Sequence, residues 1–136
     1  MELRRAAALV YVAASAGVML FQIALAAGMP WGAYAMGGAF PGRLPIALRL
    51  AALVQAVLIA GMVVIILSRA GLVLAGRSGV ARWLAWVVVA VAALGFVLNL
   101  ITPSTGERAI WAPVAFVLLA SSTVVALSGP APPKSV

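Results

Sequence analysis

Four uncharged apolar stretches, residues 6–28, 50–68, 83–101 and 110–127, fill most of a chain of 136 residues. A helix that crosses the hydrocarbon layer needs roughly 20 apolar residues at about 1.5 Å each. Each stretch is about that long, and in lipid only a helix or a closed barrel satisfies its own backbone. The pattern predicts an all-α fold, an integral membrane four-helix bundle with up-down-up-down topology. Pro45 opens the second helix and moves its start back to Ile46. The predicted spans are then 6–28, 46–68, 83–101 and 110–128. Residues 1–128 form one transmembrane domain, and 129–136, rich in Pro and Ser, read as a disordered tail. Arg4, Arg5 and the Ala24-Leu25-Ala26 triplet also fit a signal peptide, but the apolar run exceeds the roughly 7–15 residues of such a segment. A retained span is the better fit.

Hydrophobic residues make up 66 % of the chain and charged ones 8 %, where an ordinary soluble domain has about 45–50 % and 25 %. The net charge of +7 suggests nucleic acid only until its placement is considered. Basic residues sit at the ends of the apolar stretches and in their connections, with no dense basic face, so no nucleic-acid partner is expected. Their placement sets orientation instead. Arg4, Arg5, Arg69, Arg77, Arg82 and Lys134 fall on one side, against Arg43, Arg49 and Arg108 on the other. The positive-inside rule then predicts N-in and C-in, with an inverted or dual orientation as the alternative.

The chain has no Cys and no His, and its acids are Glu2 and Glu107. Thiol nucleophiles, Cys/His zinc sites and paired-carboxylate chemistry all lack their residues. No catalytic residue, cofactor or metal ligand is expected.

Three amide side chains enter the spans: Gln22, Gln55 and Asn99. With the N-terminus inside, all three fall in the outer half of the bilayer. An unpaired amide in hydrocarbon costs several kcal/mol, so each must face another helix, water or loop backbone. They serve either as hydrogen-bonding glue between helices or as the lining of a polar pocket open to the outside. Glu107 is predicted in the first turn of the fourth helix, with Ser104-Thr105-Gly106-Glu107 spaced as a capping box. It shares its side with Arg43 and Arg108, which makes an outer ion pair the expected contact. Trp31, Tyr34 and Trp111 lie near predicted boundaries as interfacial belt residues, or converge as an aromatic cluster for a cationic ligand. Small residues at Ala13 and Gly17, at Ala52, Ala56 and Ala60, and at Ala92 and Gly95 supply close-packing faces.

The segments Pro30-Trp31-Gly32, Pro41-Gly42-Arg43-Leu44-Pro45, Glu107-Arg108 and Trp111-Ala112-Pro113 resemble those of a set of small, uncharacterised four-span bacterial membrane proteins. The resemblance covers nearly the whole chain. It implies a multi-pass protein of the bacterial plasma membrane and brings no activity with it. Small multidrug exporters are similar in length but carry a glutamate in the first span, which residues 6–28 lack.

Two functions remain open from the letters alone. One is a structural or accessory component whose partners are the bilayer and a second copy or another membrane protein. The other is a small transporter or channel with an outward-facing polar pocket, working as a homo-oligomer. A lipid-acting enzyme built on Glu107 ranks last, since one acid without His, Cys or Asp leaves few routes to proton transfer.

Overall fold

The computed structural model describes residues 2–74 and 79–129. Among these residues the protein is entirely helical. There are four long helices, α1 (Glu2–Ala27), α2 (Ile46–Arg69), α3 (Gly79–Ile101) and α4 (Thr105–Leu127), and the loop from α1 to α2 holds two short 3-10 turns, Gly32–Tyr34 and Met36–Gly38. All four helices are long and apolar enough to cross a membrane. The predicted tail from residue 130 onward lies outside the described residues, as do Arg77 and Lys134.

Helix ends follow local chemistry. Gly28 sits at φ +101° just past α1, and Gly71 at φ +76° past α2. Behind each, the next amide reaches back five residues: Met29 N–H donates to Ala24 O and Leu72 N–H to Leu67 O, at 3.0 and 2.9 Å. This is the left-handed glycine stop that satisfies the last helical carbonyls. Pro45 occupies the N-cap of α2, as expected. α4 starts at Thr105, five residues before its predicted apolar span, because Ser104 accepts the Glu107 amide and nucleates a polar first turn. Pro113 therefore falls well inside α4, which continues through it. α3 likewise begins a turn earlier than its apolar run, at Gly79. Apolarity marks the part of a helix that meets lipid, and capping marks where the helix begins.

α1 packs against α2 and α4, and α3 against α4, while the α2–α3 seam is looser. The start of α1 and the ends of α2 and α4 meet at one end. There the buried Arg4 and Arg69 donate to Gly129 O and Ser128 O, both at 2.6 Å. Cations at a helix C-terminus meet the negative end of its dipole. Next to this clamp lies a close-packed core of Ala7, Ala8, Tyr11, Ile66, Ala70, Val88 and Val125. At the other end a second cluster, Leu25, Ala35, Leu44 and Ala52, seats the long loop on α1 and α2.

Leu9, Leu20, Val54, Val57 and Val97 point outward and are about half exposed or more. An apolar exterior of this extent is what hydrocarbon covers. The small-residue faces divide. Ala52 and Ala56 are buried as packing residues, whereas Ala13 and Gly17 face outward and join no helix of this chain. Ala92 and Gly95 face inward, onto a cavity.

Candidate functional site

Between the close-packed core and the loop, the four helices line a partly open cavity of about 750 Å3. Its wall is drawn from one face of each helix. On α1 that face carries Tyr11, Ser15, Val18 and Gln22, spaced four, three and four as helical periodicity requires. Gln55, Ile59 and Met62 come from α2, Gly95, Asn99 and Thr102 from α3 and its end, and Glu107 and Trp111 from α4. Tyr34, Ala35, Met36 and Gly37 of the loop close the top. Tyr11 and Met62 are shared with the packed core and form the floor.

The three amides that the sequence singles out thus line one space, by different bonds. Gln22 Nε2 donates to Gln55 Oε1 at 2.7 Å, joining α1 to α2. Gln22 Oε1 is buried and has no donor. Asn99 turns its Nδ2 back onto Gly95 O of its own helix, at 2.7 Å, so it bridges no helices. Such an i−4 bond satisfies the amide N–H and leaves Oδ1 directed elsewhere.

Glu107 organises the loop end. Its Oε2 accepts Gly37 N–H at 2.9 Å and the Thr102 hydroxyl at 2.8 Å. Thr102 Oγ1 in turn accepts the Ser104 amide at 3.3 Å, and Ser104 Oγ donates to Ala33 O at 2.6 Å. The capping box is therefore half formed: Ser104 caps, but Glu107 reaches out to the loop instead of back to Ser104. The ion pair expected with Arg43 or Arg108 is also replaced. The Arg108 guanidinium turns onto Thr102 O at 2.6 Å and that of Arg43 lies over Gly28, while Glu107 takes neutral donors. A loop amide presented by Gly37 at φ +75° meets the carboxylate first. Arg49 donates to Ala26 O at 3.0 Å, fastening the start of α2 to the end of α1.

Trp31 and Trp111 converge, though through a residue that the sequence does not flag. Phe21 stacks on Trp31, with centroids 6.1 Å apart and an angle of 8°, and meets Trp111 at 4.6 Å and 53°. Tyr34 joins by its backbone, accepting Trp111 Nε1 at 3.0 Å. Tyr34, Phe21 and Trp111 all contribute to the cavity wall, and Trp31 stays outside it. Nothing distinguishes Phe21 among the apolar residues of its stretch. Tyr11 and Ser15 had a signal, since they share the helical face of Gln22 and complete a polar stripe on α1. Among the described residues no group of His, Cys, Asp or Glu is placed to hold a metal ion. The chain matches no family model, curated protein or solved structure in the comparisons made with each.

Proposed function

We propose that this chain is a multi-pass protein of the bacterial plasma membrane that takes a small, mainly apolar molecule into the cavity behind Gln22, Gln55 and Asn99. It crosses up-down-up-down with both termini on the cytoplasmic side, so that the cavity opens toward the outer half of the bilayer. The role that suits this is a small transporter or channel, working as a homo-oligomer. The observation that carries the reading is the convergence of three amides, far apart in sequence, on one cavity. Helix glue needs no empty space, and a space of about 750 Å3 lies in the range of small-molecule sites, about 300–1,000 Å3. Its wall follows the same design, apolar with a few placed polar groups.

The test is a titration of the protein, held in phosphatidylcholine nanodiscs, with 2-phenylethanol, followed by tryptophan fluorescence. Saturable binding is expected above that of empty nanodiscs, and Gly95→Phe, which fills the space, abolishes it. A signal equal to that of empty nanodiscs, or one unchanged by Gly95→Phe, would overturn the reading. Transport itself predicts that Gln22→Leu and Gln55→Leu lower uptake into proteoliposomes while the protein still folds.

A further inference from the structure

The cavity wall carries one formal charge. Among the described residues that line it, Glu107 is the one ionisable acid or base apart from the tyrosines, and no Arg or Lys is among them. Arg49 is held on Ala26 O, and the Arg108 guanidinium on the backbone oxygen of Thr102, whose hydroxyl bonds Glu107, so among the described residues no guanidinium pairs with the carboxylate itself. In a low-dielectric surrounding a carboxylate without an ion-pair partner favours a cation and opposes an anion more strongly than in water.

Several hydrogen-bonding groups on the wall suit the same kind of ligand. Trp111 Nε1, Gly37 N–H, Asn99 Nδ2 and Gln22 Nε2 all have acceptors. The Ser15 hydroxyl, buried without a partner, and Gln55 Nε2 can still donate, and three further open groups are acceptors. Gln22 Oε1 is buried without a donor. Both hydrogen bonds to Glu107 fall on Oε2, and the one bond of the Asn99 side chain uses its nitrogen, so Glu107 Oε1 and Asn99 Oδ1 are free to accept. A buried acceptor left without a donor is destabilising, and a ligand that brings N–H groups relieves it. Phe21, Tyr34 and Trp111 add ring faces to the same wall, which also favour a cation. Leu58, Leu94 and Leu98, lining the cavity and exposed along the loose α2–α3 seam, provide for an apolar body.

From these observations we infer that the cavity selects small organic ammonium ions, protonated amines with an apolar body, with Glu107 as the counter-charge. The inference rests on the cavity being a binding site, and its test separates the two. Protein in phosphatidylcholine nanodiscs is titrated at neutral pH with 2-phenylethylammonium, 2-phenylethanol and 3-phenylpropionate, which share one apolar body and differ in the charge of the head. The ammonium ion is expected to bind at least about tenfold more tightly than the alcohol, and the carboxylate most weakly of the three. The N,N,N-trimethyl form of the ammonium probe, which has no N–H, binds more weakly than its parent. Glu107→Gln keeps an oxygen for Gly37 and Thr102, and it brings the ammonium Kd to within about threefold of the alcohol's measured on the same variant.

Equal affinity for ammonium and alcohol in the wild type would overturn the inference and leave the binding site standing. So would a preference that survives in Glu107→Gln. Failure of all three probes to bind overturns the binding site and the inference with it. The wild-type comparison decides the matter even where the variant fails to fold.

Discussion

The two halves of this bundle are made from the same four helices, yet one is filled and the other hollow. At the Arg4–Arg69 end, Ala7, Ala8, Tyr11, Ile66 and Val125 close on one another and fill the space between the helices. At the loop end, Gln22, Gln55 and Asn99 line the wall, and the space between the helices stays open. The lesson concerns what holds each half. In lipid, apolar packing between helices gains nothing from water exclusion, so the filled half depends on close contact and on two arginines at the end of α4. The hollow half depends on hydrogen bonds: Glu107, Thr102, Ser104 and Trp111 tie the loop across the top.

Matched truncations on α2 expose the difference most strongly. Ile59 and Ile66 are seven residues apart and share a helical face, one at the cavity and one fully buried in the core. Ile66→Ala is expected to cost about 2–4 kcal/mol of unfolding free energy through the void it leaves, and Ile59→Ala under about 1 kcal/mol, since its space is already open. Equal losses in a steric-trapping or thermal unfolding measurement would erase the distinction between the halves. Additions should act in the reverse order. Ala8→Leu, at a site with no exposure, costs about 1–3 kcal/mol by overpacking. Gly95→Ala has open space around the new methyl group and stabilises by about 0.5–1 kcal/mol through helix propensity. A further small effect is expected at the loop. Ser104→Ala removes the cap of α4 and the bond to Ala33 O, lowering stability by about 1 kcal/mol. It also speeds amide exchange at Gly37, whereas the same measurement at Ala70 stays unchanged.

Much of this architecture is legible in the letters because lipid imposes a length. The four long apolar helices, the Pro45 start and the Gly28 and Gly71 stops all follow from local rules. Helix starts at Gly79 and Thr105 were harder to read, because each begins with a polar or small turn outside the apolar run. The depth of Gln22, Gln55 and Asn99 is also a local property, countable along each helix. Which way they turn is not. Asn99 bonding its own helix, and Glu107 choosing Gly37 over an arginine, depend on how a loop distant in sequence folds over the bundle. Phe21 shows the limit most plainly. Its ring gathers Trp31 and Trp111, a fact of three-dimensional packing that no spacing within residues 6–28 encodes.

Because the chain has no cysteine, a single introduced thiol reports directly on whether one half is open and the other closed. Ala92→Cys places it on the cavity wall, and Ala8→Cys in the packed core. In reconstituted bilayers the thiol at 92 is expected to react with a small maleimide at least about tenfold faster than the one at 8, and 2-phenylethylammonium slows only the former. Equal rates at the two positions, or a faster reaction at 8, would contradict the account.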